Sequence, residues 1–409
     1  MASVLARVYR AESGKLLAKL IHGLGDFERA DEALQDACAE ALAHWPAEGL
    51  PDRPGAWLMT VAKRKAIEAL RHDSILPTSE FDESISSDPA AVIQHRLDSS
   101  IEDERLRLIF TCCHPALARE AQVGLTLRSL CGLRPAEIAE AFLVSEAALE
   151  QRLVRARRKI REAAIPFRVP PDHLLGERTE TVLHVLYLIF NEGYDASGGD
   201  ELVRSELCEE ALRLARLLTE LMPGESEAHG LLALMLLQDS RREARSDAAG
   251  DIILLEDQDR SLWKQAPIRE GLRIVEHWLK ASTPGPYLLQ AAIAATHAQA
   301  KQPQATQWDQ IVALYDLLLR ASPSPVIELN RAAAVAMHEG PTEGLRALDD
   351  IAQQRALDEY LYYHALRADL YRRLGRATAA RSAYDRALAC ASNASEKRFL
   401  NRRLDELSK

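Results

Sequence analysis

The chain has 409 residues, a formal net charge of −10, and 47% hydrophobic, 27% charged and only 5% aromatic residues. This length allows about two to four domains with cores of their own, and it excludes a mini-protein that depends on disulfides. Ala, Leu, Glu and Arg are abundant and lose little on entering a helix, so we expect an all-α protein.

The sequence also disfavours a membrane or secreted protein and a protein stabilised by disulfides or zinc. The longest apolar runs, at 182–190 and 231–237, are shorter than the ~20 residues that cross a bilayer, and the N-terminal segment lacks the apolar core of a signal peptide. We therefore expect a cytoplasmic protein. Six cysteines are too few for a disulfide framework, and Cys112-Cys113-His114 lacks the spacing of a zinc site, so we expect buried thiols and no metal or cofactor.

The first 74 residues predict a small helical domain. Leucines recur every four residues at 16, 20 and 24, and a second apolar stripe runs from Phe27 through Leu34 to Trp45. The segment "PAEGLPDRPG" at 46–55 predicts a break, because it holds three prolines and two glycines. The next helix carries a basic cluster at Lys63, Arg64, Lys65 and Arg71.

Composition divides the rest of the chain. Residues 75–98 are acidic and rich in Ser and Pro, which is typical of a linker. A second small domain is predicted at 99–165, and a proline-containing hinge then leads into a helical extension at 166–285. Residues 286–409 predict a domain of tetratricopeptide (TPR)-like helix pairs, because Gly340 and Gly375 stand 35 residues apart and each should end a helix.

The segment 135–162 has the pattern of a helix-turn-helix. A short helix should begin at Pro135, a turn should follow at 143–144, and Ser145 should cap the next helix. Leu149, Leu153, Ala156 and Ile160 then form one inward stripe. Six Arg or Lys residues fall between 152 and 161, with no acid among them.

Such a helix can lie in the DNA major groove, with early side chains against bases and later ones against phosphates. Glu150, Gln151 and Arg155 suit base edges, with Arg155 the strongest candidate for sequence recognition. The basic residues suited to phosphates are Arg152, Arg157, Arg158, Lys159 and Arg161. The alternative is a solvated basic face, but the coincidence of turn, cap, stripe and charge favours DNA.

With these features, residues 5–165 resemble bacterial RNA polymerase sigma factors of the extracytoplasmic-function (ECF) type. "DEALQDACAEALAHW" resembles the family's region 2, "RPGAWLMTVAKRKAIEALR" its minus-ten helix, and "EIAEAFLVSEAALEQRLVRARRKIR" the region 4 helix-turn-helix that binds the minus-35 element. The resemblance implies promoter DNA and the clamp helices of the polymerase's largest subunit as partners.

The resemblance also implies roles for individual residues. Core polymerase binding falls to Asp31, Leu34, Gln35 and Asp36. Minus-ten binding falls to Trp57, Lys63, Arg64, Lys65 and Arg71, although Trp57 suits a core position equally well. Minus-35 binding falls to Glu150, Gln151, Arg152, Val154, Arg155, Arg157, Arg158 and Lys159.

The remainder resembles the C-terminal extension of one ECF subgroup, through "LYLIFNEGY" at 186–194 and "LLEDQDRSLW" at 254–263. This implies regulation by the extension, which could receive a protein or small-molecule signal. The acids of the second string could belong to a metal or catalytic site, but a structural network is favoured. Nucleotide-binding, zinc-protease and serine-hydrolase motifs are missing, so we expect no enzyme. The rival functions are a DNA-binding regulator that acts without polymerase and a TPR-type scaffold.

Overall fold

The computed structural model describes residues 2–74, 104–142, 144–194, 205–247, 251–352, 357–391 and 394–407. In these ranges the regular structure is helical, and Ser246 and Ile252 form an isolated β-bridge. The predicted all-α fold is therefore confirmed. No helix in the described ranges is long and apolar enough to cross a membrane. The chain divides into two compact units, Met1–Leu188 and Ile189–Lys409.

The first unit begins with a bundle of three helices, α1 (Ala2–Leu24), α2 (Phe27–Glu48) and α3 (Pro54–Ser74). The predicted apolar stripe of α2 is buried, and Leu34 and Trp45 are 0% and 1% exposed. Asp26 caps α2 by accepting a hydrogen bond from the Glu28 amide at 2.8 Å. The linker predicted at 75–98 lies outside the described residues.

The break predicted at 46–55 is shorter than expected, because α2 continues through Pro46 to Glu48. A proline removes only one backbone donor, and here it does so in the last turn of the helix. Gly49 then ends α2 with φ at +91°, a conformation that suits glycine, while its amide bonds to the Trp45 carbonyl at 3.0 Å. The buried Trp45 ring fixes this last turn.

Four short helices follow, α4 (Arg105–Cys112), α5 (Arg119–Leu130), α6 (Pro135–Ala141) and α7 (Glu146–Glu162). Non-helical residues separate α4 from α5 around His114-Pro115, and α5 from α6 around Gly132. Cys112, Cys113 and Cys131 are buried thiols, as predicted, and form no disulfide within the described ranges. Burial raises the pKa of Cys113 to about 12, so this side chain is a neutral thiol at physiological pH.

The division between the two units falls within the next helix, α8 (Asp172–Tyr194). The second unit continues with helices packed largely on their chain neighbours. They are α9 (Ser205–Leu221), α10 (Ser226–Asp239), α11 (Gln265–Ala281), α12 (Pro286–Gln299), α13 (Trp308–Ala321), α14 (Pro325–His338), α15 (Pro341–Ala352), α16 (Leu361–Arg373), α17 (Ala377–Cys390) and α18 (Ala394–Glu406).

The two glycines predicted to end helices do so in the second unit. Gly340 separates α14 from α15, and Gly375 separates α16 from α17, both with positive φ. Ala380, Tyr384 and Ala387 of α17 are buried. Each glycine therefore joins two helices of a packed hairpin, as the sequence predicts.

Candidate nucleic-acid interface

Helices α6 and α7 form the predicted helix-turn-helix. The Ser145 hydroxyl accepts a hydrogen bond from the Ala148 amide at 3.2 Å, which confirms the predicted cap of α7. The inward stripe is confirmed too, because Leu149, Leu153, Ala156 and Ile160 are all buried. A Cβ at Gly124 of α5 would lie 3.3 Å from Cδ2 of Leu153, so this glycine lets α5 approach α7 closely.

The opposite face of α7 is open to solvent in its first half. Glu150, Gln151 and Arg155 are exposed, and Val154 is 56% exposed. Arg152 is half-buried. The apolar stripe packs one side of α7 against the domain. The outward side chains can therefore approach the edges of DNA bases without any change in this packing.

The later basic residues of α7 divide into two groups. Arg158 and Lys159 are exposed, and Arg158 is paired with Glu162 at 2.6 Å within the helix. Arg157, in contrast, points to α2, where its Nη1 lies 2.7 Å from Oδ2 of Asp31. The Asp31 side chain is 6% exposed and the Arg157 side chain 23%, so this ion pair is mostly withdrawn from water.

Two more ion pairs join the N-terminal bundle to the helix-turn-helix. Arg161 pairs with Glu28 of α2, and Arg10 of α1 lies 2.6 Å from Glu137 of α6. Burial alone would raise the pKa of Glu137, but hydrogen bonds from Arg134 and the charge of Arg10 outweigh it and lower the pKa. The bundle and the helix-turn-helix are thus docked on each other by opposite charges.

These cross-bundle pairs were not predicted. Arg157 follows Asp31 by 126 residues, and Glu137 follows Arg10 by 127. At such separations no helical periodicity relates the partners, so a single sequence carries no signal for them. What the sequence does show is an excess of basic residues on α7.

Comparisons with known proteins agree with this geometry. A sigma-70 region 2 family model matches residues 8–74, and a sigma-70 region 4 model matches 107–160. The chain belongs to the ECF-type sigma factors with a C-terminal extension. Its extension matches a family of unknown function, DUF6596, over residues 178–279.

One relative of the sigma factor is an uncharacterized protein, R00370, of Rhizobium meliloti (strain 1021). It is 45% identical over 396 residues, which cover 96% of this chain and 93% of the relative. No solved structure matches the chain. The two sigma-70 domains give this protein a role in transcription initiation, through core RNA polymerase and promoter DNA.

The predicted polymerase-binding residues of the sigma factor lie on two faces of α2. Gln35 and Asp36 are exposed, whereas Leu34 is fully buried and Asp31 is 4% exposed. Asp31 also accepts a hydrogen bond from Gln35 at 2.9 Å. In this conformation, therefore, Gln35 and Asp36 are the two of these four residues that a partner could contact.

The predicted minus-ten residues lie on α3, beside α2. Trp57 is half-buried and meets the Trp45 ring edge to face, with centroids 5.5 Å apart. It is therefore part of the packing and partly accessible at once. Lys63 is half-buried, and Arg71 lies outside the residues whose side chains are described.

Two basic side chains of α3 pair with one carboxylate of α2. Glu40 lies 2.5 Å from Arg64 and 3.5 Å from Lys65. The Arg64 side chain is 55% exposed, so solvent screens this pair strongly. The basic patch of α3 is consequently partly neutralised but accessible.

Proposed function

We propose that this sigma factor places α7 in the major groove of a minus-35 element and α3 against a minus-ten element, while Gln35 and Asp36 of α2 contact the clamp helices of core polymerase. We further propose that the C-terminal extension regulates this activity in response to a signal. The proposal is supported above all by the open N-terminal half of α7, where Glu150, Gln151 and Arg155 face solvent above a buried apolar stripe.

The chemistry of these side chains suits base recognition. Arg can donate two hydrogen bonds to guanine, Gln can pair with adenine, and Glu can accept from the amino group of cytosine. A good bidentate contact contributes about 1–3 kcal/mol of discrimination against a wrong base. Arg155 is exposed and lies among the early residues of α7, which is where base contacts are made in helix-turn-helix proteins.

The docked pair Arg157–Asp31 supports a further step in the proposal. Arg157 can contact a phosphate only after it leaves Asp31, so full use of α7 requires the helix-turn-helix to separate from α2. Separation would also expose Asp31, which the family resemblance places in the polymerase-binding segment. Binding to core and release of α7 would then favour each other.

The test compares Arg155→Ala with a matched control, Arg158→Ala. Both residues are exposed arginines on α7, and Arg158 is paired only with its helix neighbour Glu162 among the described contacts. Run-off transcription with core polymerase is measured on a cognate promoter and on variants of the minus-35 element. We expect Arg155→Ala to lose activity about 5- to 150-fold on the cognate promoter and to relax the preference at one base pair.

The control should behave differently. Arg158→Ala should weaken binding to all sequences alike and lower the salt slope by about 0.9, the value for one lost phosphate contact. If Arg155→Ala initiates as well as the unchanged protein on every promoter, the assigned role of α7 is wrong. Binding of duplex DNA without any initiation on core polymerase would favour the rival regulator instead.

The role of the extension is tested on the full chain. Region 4 packs with the first part of α8, where Arg178 donates to the Phe110 carbonyl at 2.6 Å, so a truncation near residue 168 would damage the first unit. Substitutions inside the second unit are the better test. Unchanged transcription in all such variants would contradict a regulatory extension.

A further inference from the structure

Three arginines of the second unit gather around the connection between α10 and α11. Arg241 and Arg245 lie just after α10, and Arg260 lies shortly before α11. The connection folds back on itself, because the Lys264 amide bonds to the Ser240 carbonyl at 2.8 Å and the Ile253 amide bonds to the Arg245 carbonyl at 2.8 Å. The two ends of the connection are therefore adjacent.

Two of these arginines share one aromatic ring. The guanidinium carbon of Arg245 lies 3.8 Å from the centroid of the Tyr194 ring, and that of Arg241 lies 5.8 Å from the same centroid. Arg245 also donates to the Tyr194 carbonyl. Tyr194, at the end of α8, thus holds two like charges in the same place.

The third arginine is held by α12 and by a second aromatic ring. Arg260 lies 4.6 Å from the centroid of the Trp263 ring, and it donates to the carbonyls of His297 at 2.8 Å and Ala300 at 2.5 Å. These carbonyls belong to the C-terminal end of α12, where the helix dipole favours a cation. The guanidinium is fixed in position, and no carboxylate within the described ranges pairs with it.

Two guanidinium groups of the cluster, those of Arg241 and Arg260, make no ion pair with a carboxylate among the described residues. The neighbouring Arg242, in contrast, is paired with Asp239. The acids of the motif at 254–263 do not help, because they are exposed and Asp259 caps the Ser261 amide at 2.9 Å. Burial and the charges of Arg241 and Arg260 lower the pKa of His297 to about 4, so this imidazole is neutral and adds no charge.

The same cluster holds five buried polar atoms for which the described part of the chain offers no hydrogen-bond partner. They are the Tyr194 hydroxyl, the indole N–H of Trp263, Nε of Arg260, Nδ1 of His297 and Oε1 of Gln258. Tyr194, Trp263 and Gln258 are only 9%, 4% and 6% exposed. Folded proteins leave few such atoms, because each costs about 1–3 kcal/mol when it is not satisfied.

The unsatisfied atoms define the chemistry of a missing partner. The N–H groups of Trp263 and Arg260 are donors and the Tyr194 hydroxyl can donate; all three stand beside Arg241 and Arg260, whose charges no carboxylate of the described residues balances. A metal ion would be repelled there, whereas an oxyanion would receive both the charge and the hydrogen bonds. Both strings that mark the extension contribute, through Tyr194 of the first and Gln258, Arg260 and Trp263 of the second.

We propose that this cluster is a binding site for a small molecule that carries a phosphate or carboxylate group. Its regulatory consequence rests on the proposed function, since an extension that senses a metabolite would then control initiation. The binding site itself stands apart from that role and is tested without polymerase or DNA.

The test measures anion binding to the full chain by calorimetry and thermal unfolding. Inorganic phosphate and citrate are titrated separately at constant ionic strength, with chloride as the reference salt. We expect saturable binding with a stoichiometry of one, and a rise in Tm that grows with ligand concentration, because a ligand stabilises the state that binds it. If phosphate binds and citrate does not, or the reverse, the result identifies which of the two groups is recognised.

Variants locate the site. Tyr194→Phe removes a hydroxyl that bonds to none of the described residues, so it should leave the ligand-free Tm unchanged or higher and yet weaken binding. Arg241→Gln should weaken binding at least about tenfold. The control Arg216→Gln removes an arginine of the same unit that is already paired with Glu270, and it should bind as the unchanged protein does.

Two results would overturn the proposal. One is the lack of saturable binding of both anions. The other is equal affinity in Tyr194→Phe, Arg241→Gln and Arg216→Gln. Failure of transcription in vitro would not bear on these measurements, so the anion site and the sigma-factor mechanism fail or stand separately.

Discussion

Replacing Asp31 by Asn tests whether the N-terminal bundle restrains the DNA-binding helix. Arg157 and Asp31 are 2.7 Å apart and only 23% and 6% exposed. At an effective dielectric constant of about 20, two unit charges at this distance attract by roughly 6 kcal/mol before desolvation is subtracted. Removal of one partner of a buried pair costs about 3–5 kcal/mol, and partial exposure of Arg157 favours the lower value. A change of about 3 kcal/mol would shift the docking equilibrium roughly 100-fold.

Asp31→Asn should therefore lower the Tm of the protein while it improves binding to duplex DNA in the absence of polymerase. Arg157, once released, can contact one more phosphate, so the salt slope should steepen by about 0.9. Asn keeps the shape of the side chain and can still accept the hydrogen bond from Gln35. Fluorescence anisotropy with a labelled minus-35 duplex, at several salt concentrations, measures both quantities.

The control is Asp36→Asn, which makes the same change of charge at an exposed position of the same helix. It accounts for the general effect of one less negative charge. A single-stranded minus-ten oligonucleotide serves as a second control, and its binding should change equally in the two variants. If Asp31→Asn and Asp36→Asn show the same Tm and the same salt slope, the pair does not restrain α7 and the reasoning is refuted.

Three further outcomes are expected. In the native protein a maleimide should modify the half-buried Cys390 before the buried Cys113, whose pKa burial raises to about 12; peptide mass spectrometry after short labelling would show the reverse order if the packing were otherwise. The pKa of His297 falls from 6.5 to about 4, so the unfolded chain binds more protons between these values and stability should fall as the pH drops through this window. His297→Gln should flatten that dependence in denaturant titrations, and an unchanged profile would contradict it. Ser145→Ala should cost about 1 kcal/mol, while Ser145→Asp should retain the cap; equal Tm values for the two would argue against the cap.

Local features of the fold were predictable because short-range periodicity determines them. The stripe from Leu149 to Ile160, the cap at Ser145 and the glycines at 340 and 375 each depend on neighbours within a few residues. Pro46 shows the limit of such rules. A proline near a helix end removes one hydrogen bond, and the burial of Trp45 keeps the last turn in place.

The surface of α2 could not be predicted in the same way. Leu34 belongs to an apolar stripe, which predicts burial, and it also matches a polymerase-binding segment, which predicts exposure; the structure shows it fully buried. The anion site was hidden for a different reason. Its arginines are spread over 20 residues of a connection and gain their meaning only from Tyr194 and His297, which lie on α8 and α12.

Carboxylates of α2 pair with basic residues of both α3 and α7, the two helices to which the proposed function assigns promoter DNA. Glu40 pairs with Arg and Lys side chains of α3, whereas Asp31 and Glu28 pair with arginines of α7. The two sets differ in how easily DNA can displace them. An exposed pair such as Arg64–Glu40 contributes about 0–1 kcal/mol, so a phosphate can replace Glu40 in place.

Arg157–Asp31 is mostly buried, and a phosphate cannot reach it until α7 moves away from α2. Under the proposed function, α3 is therefore available to minus-ten DNA in the docked state, whereas Arg157 of α7 is not available to minus-35 DNA. The acids that pair with Arg157 and Arg161 lie on α2, the element that would have to release the basic helix. Conditions that weaken the α2–α7 pairs should then act on minus-35 affinity first and leave minus-ten affinity unchanged.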